Sequence, residues 1–238
     1  MRAALLVGMR FGIKHIIFAG DTIAGDQIGL STHPVSFVTG DEHPFDVVVN
    51  LSRSILKAYG QWFDTIDLIT GNHDERPAKA TQGQIQLHQF FKDLPVTFSP
   101  YSYMYLRFPS TGEYVYICHQ YNYSKQSVSL AQQIWAVESA PDRSKDKMHI
   151  VIGHTHVAQE GVSPDDNYRC IGLGCMRDHS RTRYAKLRAT KFPAWNQGFL
   201  MIRKGYFYPL SRTGTDWREL LGDELYTVLE DGDEADNG

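Results

Sequence analysis

Cysteine is scarce in this chain. Cys118, Cys170 and Cys175 are the three present, and their spacing fits neither a disulfide framework nor a zinc site built from two cysteine pairs. That argues against a disulfide-stapled secreted scaffold. Cys118 lies in an apolar run and reads as a reduced core residue, so a cytoplasmic setting is expected. No apolar run approaches the roughly 20 residues of a membrane span, and no membrane partner is expected. The apolar start at residues 1–8 is short for a secretory signal and lacks a small-residue cleavage site, so it reads as helix. A net charge of −3 supplies no global basic field for nucleic acid, although a local basic groove would suffice. No internal repeat and no linker divides the chain. One domain is expected over residues 1–221, followed by a disordered acidic tail over 222–238.

What is present is a repeated junction of apolar strand, glycine and metal-capable side chain. The run 148–152 leads into Gly153-His154-Thr155-His156. Residues 16–19 lead into Gly20-Asp21, and 65–70 into Gly71-Asn72-His73-Asp74. A fourth run, 114–118, ends directly on His119. Imidazoles and carboxylates are ordinary ligands of first-row metals. Two histidines in isolation are more often loop residues. Four such junctions together predict one cluster at the carboxyl ends of neighbouring strands in an α/β protein.

The remaining chain supports that fold class. Residues 1–11 have helical amphipathicity with Gly12 at a C-terminal cap position, but no capping side chain precedes them. Helices are predicted over 45–63, 82–91 and 127–138, and strands over 13–19, 65–70 and 168–173. Hairpins are predicted for 103–108 with 114–119, and for 198–209. Tyr101, Tyr103, Tyr105 and Phe108 read as hairpin packing, with a base-stacking platform as the alternative. Residues 22–45 form a long polar loop holding Asp26, His33 and His43. The strongly basic stretch 176–191 includes Arg177, Arg181, Arg183 and Lys186, a solvated face or a cationic lip for a phosphate-rich substrate.

The ordered series Gly-Asp, Gly-Asn-His-Asp, His and Gly-His-Thr-His resembles the calcineurin-like metallophosphoesterases. The resemblance covers roughly residues 16–156. It implies a four-layer β-sandwich flanked by helices with a metal pair at its end. By position, Asp21 would bridge two metals, Asn72, His119 and His154 would complete one, and His156 would bind the other. His73 would sit by the leaving group as general acid or transition-state stabiliser rather than as a ligand, and Arg76 would substitute for an arginine that grips phosphate. The family's opening Asp-x-His is absent before Asp21, and Ala24 stands where an acid is common. The resemblance therefore implies an N-terminally incomplete domain lacking its first strand, with one metal site complete and the second incomplete.

Two divalent cations about 3.5–4 Å apart neutralise phosphate oxygens and generate hydroxide near neutral pH. Mixed nitrogen and oxygen ligation suits Mn²⁺, Fe, Zn²⁺ or Ni²⁺ without choosing among them, and Mn²⁺ is taken as the first expectation. The leading expectation is a metal-dependent phosphoesterase acting on a phosphomonoester or phosphodiester. One alternative is a nuclease, favoured by Arg181, Arg183, Lys186 and the aromatic hairpin. The other is a non-catalytic scaffold of the same fold.

Overall fold

A computed structural model describes residues 1–23, 45–119, 126–138, 148–176 and 195–235. The first sheet forms from β1 (His15–Ala19), β2 (Thr65–Ile69) and β3 (Thr97–Ser99), all parallel in the order β1-β2-β3. Parallel neighbours require crossovers. Helix α2 (Phe45–Tyr59) lies between β1 and β2, and the short α3 (Arg76–Ala80) and α4 (Leu87–Phe91) lie between β2 and β3. Alternation along the strands separates two faces. Ile66 and Leu68 join Leu56, Tyr59, Leu87 and Phe91 in a core beneath these helices. Ile69, with Ile17 and Ala19, faces the other way.

The second sheet has the order β4-β5-β6-β8-β7. It contains β4 (Tyr103–Arg107), β5 (Tyr114–Cys118), β6 (Met148–Ile152), β7 (Gln159–Val162) and β8 (Arg169–Gly172). β4 and β5 form the predicted antiparallel hairpin, while β5, β6 and β8 run parallel. Helix α5 (Ser127–Glu138) covers one face, where Ala131 packs with Tyr116, Cys118, Ile150 and Ile152. The opposite face, Val115, Ile117, Val151 and Ile171, meets Ile69 of the first sheet. The result is mixed α/β with four layers: helices, sheet, sheet, helix. Burying each large aliphatic side chain in these seams contributes about 1.5–3 kcal/mol.

A further hairpin, β9 (Gly198–Arg203) and β10 (Tyr206–Ser211), presents Leu200, Ile202 and Phe207 to the inter-sheet core. Its Met201 and Leu210 pack with Leu6 and Val7 of α1 (Arg2–Phe11). Gly12, at φ 66°, caps α1 by donating to Gly8 O and Met9 O. No helix among the described residues is long and apolar enough to cross a membrane.

Two expectations are corrected. The helix expected over 82–91 is confined to α4, Leu87–Phe91, because Gln82 and Gly83 have φ 52° and 86° and keep its first half out of the helix; α3, Arg76–Ala80, precedes that break. After α6 (Trp217–Leu221), the segment 222–238, expected as a disordered acidic tail, carries α7 (Asp223–Ala235). Leu221, Leu225 and Leu229 belong to the same apolar cluster as α1, and that burial outweighs the repulsion of the acids.

Candidate metal centre

β1, β2, β5 and β6 deliver their carboxyl ends to one end of the sandwich. Asp21 follows β1, Asn72 and His73 follow β2, His119 follows β5, and His154 follows β6. Close approach of these turns explains two of the glycines. A Cβ on Gly20, itself at φ 88°, would lie 2.2 Å from His119 Nδ1. A Cβ on Gly71 would lie 2.2 Å from the Asp21 nitrogen. Asp21, His154 and His156 all adopt left-handed backbone, at φ 53°, 72° and 60°. Such conformations cost about 1–3 kcal/mol each for non-glycine residues and concentrate at functional sites.

His119 is the hub. Its Nδ1 lies 2.8 Å from Ala19 O, and a carbonyl can only accept, so Nδ1 carries a proton. Nε2 of the neutral ring then presents a lone pair. Around it stand Asn72 Oδ1 at 2.9 Å, His154 Nδ1 at 3.2 Å and an Asp21 oxygen at 3.3 Å. One ligand atom from each of Asp21, His119 and His154 lies within 4.8 Å of the others. A single proton cannot satisfy four converging electron-pair donors, whereas a divalent cation among them can. The residues therefore fit a metal ion, and the mixed nitrogen and oxygen set suits the first-row transition metals.

The electrostatics agree. Burial pushes the Asp21 carboxyl up, but the adjoining His119 and His73 outweigh it and hold the group below the usual carboxylate range. Burial and the neighbouring His119 charge push the His154 imidazole down to about 4, so the ring is neutral near neutral pH and has a lone pair to offer a cation. Burial also lowers His119, but the Asp21 carboxylate reverses the direction and favours a proton on the ring when no cation is bound.

His73 donates its main-chain N–H to Asp21 Oδ1 at 2.9 Å, and its Nε2 lies 3.3 Å from an Arg76 guanidinium nitrogen. His73 and Arg76 thus meet beside the cluster. The ring of His156 packs 4.4 Å from Trp195, and His156 is not in the converging group. Arg177, Arg181, Arg183 and Lys186 lie outside the described residues, as do Asp26, His33 and His43.

One organising residue escaped the reading of the sequence. Asp74, only 1% exposed, accepts N–H groups from Gly71 at 2.9 Å, Ile23 at 2.9 Å and Thr22 at 3.2 Å. Its carboxylate clasps the Gly20-Asp21 and Gly71-Asn72 turns together. The signal was local: an acid three residues after a turn glycine is placed to accept that glycine's N–H.

No protein-family model matches the chain, and no curated protein matches it. Among solved structures, it is similar to a conserved uncharacterised protein from Streptococcus pneumoniae TIGR4 described as a predicted phosphoesterase. Identity there is 12%, covering 72% of this chain and 94% of the other, with a TM-score of 0.33. A Thermotoga maritima protein solved by solution NMR is 14% identical over 67% of this chain and 86% of its own, also with a TM-score of 0.33. Overlap at that level defines neither fold nor function, and both are read from this chain's own residues.

Proposed function

We propose that the chain is a metal-dependent phosphoesterase. The observation that carries this reading is the convergence of lone pairs from Asp21, Asn72 and His154 around His119 Nε2, with the His73–Arg76 pair alongside. Asp21, Asn72, His119 and His154 would hold the cation, with manganese the first candidate. His156, two residues past His154, would serve a second ion. A bound divalent cation supplies Lewis acidity toward phosphoryl oxygens and lowers the pKa of water.

The chain's own residues do the rest. Arg76 would offer its fork of N–H donors to the phosphoryl oxygens. His73, anchored by its backbone bond to Asp21, would pass a proton to the leaving oxygen. In the arrangement described, Arg76 can only donate, so His73 Nε2 faces it as the acceptor. Moving Arg76 onto phosphate would free Nε2 to carry the proton. None of the three cysteines is in a disulfide, which fits a reducing, cytoplasmic setting. A nuclease is the narrower form of the same reading, supported by the sequence of Arg181, Arg183 and Lys186 and by the aromatic hairpin.

Metal analysis together with a phosphatase assay tests the proposal. Purified chain supplied with Mn²⁺ should bind the ion and hydrolyse a nitrophenyl phosphate ester. Metal bound without turnover would support the non-catalytic scaffold instead, and no metal bound would remove both readings.

A further inference from the structure

A hydrogen-bonded loop carries an exposed aromatic ring to the end of the sandwich that holds the cluster. β3 ends at Ser99 and β4 begins at Tyr103. Thr70, which precedes the Gly71-Asn72 turn, donates its hydroxyl to Ser99 O at 3.2 Å. His119 donates its main-chain N–H to Ser102 O at 2.7 Å. Ser99 Oγ donates to Tyr103 O at 2.8 Å and accepts from Tyr101 N at 3.2 Å, which fixes the loop internally. Tyr101 is thus held on both flanks by bonds to residues of the β2 and β5 ends. About 3.8 Å of chain separates its Cα from that of Ser102, the residue bonded to His119.

The Tyr101 ring stacks on Tyr103, with centroids 5.3 Å apart and planes 16° from parallel. Tyr103 in turn contacts Tyr105 and Tyr116, at 5.8 and 5.5 Å. In register, Tyr103 faces Cys118 and Tyr105 faces Tyr116. The aromatic ladder therefore runs along β4 and β5 toward His119, and Tyr101 is its last rung. Packing accounts for Tyr103 and Tyr116, which join the core beneath α5. It does not account for Tyr101, which is 60% exposed despite its anchored backbone. A ring stacked on one neighbour, largely exposed and borne on an anchored backbone is preorganised to receive another flat ring, because less freedom remains to be lost.

We propose that Tyr101, backed by Tyr103, is the stacking platform for the planar base of the substrate. This proposal rests on the phosphoesterase reading and deepens it: the substrate is a nucleoside phosphate, not a phosphate of a simple alcohol or sugar. Every nucleobase offers a π-face, so the platform selects for a base without selecting which one.

The test compares adenosine monophosphate with glycerol phosphate on the full, Mn²⁺-loaded chain. Tyr101→Ala should raise KM for adenosine monophosphate by roughly 5- to 100-fold, and KM for glycerol phosphate less than twofold. Tyr101→Phe and Tyr101→Trp should restore the parent value. Calorimetric titration with adenosine monophosphate and with inorganic phosphate should give the same contrast without requiring turnover. Equal losses for both ligands, or no loss for either, would overturn the platform. If the chain binds the nucleotide through Tyr101 yet hydrolyses nothing, the platform stands and the phosphoesterase reading falls. If it hydrolyses glycerol phosphate and Tyr101→Ala leaves the nucleotide unaffected, the phosphoesterase reading stands and the platform falls.

Discussion

The carboxylate of Asp74 accepts the main-chain N–H of Ile23 at 2.9 Å, across 51 positions of sequence. With its bonds to Thr22 and Gly71, it joins the turns after β1 and β2. Burial, and then the Asp21 charge, push this carboxyl up to about 7, while the three N–H donors oppose the rise. Asp74→Asn keeps the size but leaves a single acceptor oxygen beside several donors. We expect it to lower stability by about 1–3 kcal/mol, read by urea unfolding at fixed metal concentration. Metal affinity should fall with it. An unchanged metal Kd would mean that Asp74 supports the fold without shaping the cluster.

Ligand and proton donor should separate under mutation. Asp21→Asn and His154→Ala are expected to lose metal and activity together. His73→Asn should keep its metal and lose about 10²- to 10⁴-fold in kcat, the usual contribution of general acid catalysis. Elemental analysis alongside single-turnover rates distinguishes the two classes. Metal loss in the His73 variant would make it a ligand.

A methyl group at Gly71 would sit 2.2 Å from the Asp21 nitrogen and 2.3 Å from its Oδ1. The nitrogen is main chain of the neighbouring turn, so rotating the Asp21 side chain cannot relieve the clash. Gly71→Ala should destabilise by at least about 1–3 kcal/mol, as overpacking does, and displace Asp21 from the cluster. Thermal unfolding and metal content, measured together, check both effects. A variant with parent Tm and full metal would show that the turns have room to part.

His149 predicts an acid limb of instability. Its ring is buried among Phe108, Tyr168 and Phe207, with Nδ1 accepting from Arg169 N at 2.9 Å and Nε2 3.7 Å from a Glu113 oxygen. Burial first, then the Arg169 charge, hold the imidazole below its ordinary range, against the pull of Glu113. Unfolded, it titrates near its usual value of about 6.5. The unfolded chain thus binds the extra proton more readily. The contribution to stability is complete above about pH 6.5 and is lost as pH falls through the folded value. His149→Gln, which retains an acceptor, should show a shallower loss of stability between pH 7 and 5. Parallel curves for parent and variant would remove His149 from the acid response.

The turns that carry the candidate metal site were legible because buried parallel strands read as apolar runs that stop at a glycine or a histidine. Residues 16–19 and 114–118 do so without a break, 148–152 with His149 inside the run, and 65–70 with Asp67 inside it and Thr70 before the glycine. The Ala19 carbonyl and the bonds of Asp74 to Thr22 and Ile23 were not legible, because they exist only across space; only the bond of Asp74 to Gly71 is local. The break at Gln82 was missed because a non-glycine residue in the left-handed region gives little warning. The α7 segment was misread because its acids dominate composition, whereas the fold uses the Leu225 and Leu229 pair, spaced one helical turn apart.

The bond from His119 Nδ1 to Ala19 O joins the last residue of a strand in one sheet to the turn after a strand in the other. A cation gripped by Asp21 and His119 would therefore rivet a seam between two otherwise separate ladders. Ligand affinity and resistance to shear across that seam are one thermodynamic quantity, by mass action. Chelation should accordingly loosen amide exchange first at Asp21, His119 and Gly153, where the sheets meet, while the amides beneath α2 and α5 stay slow.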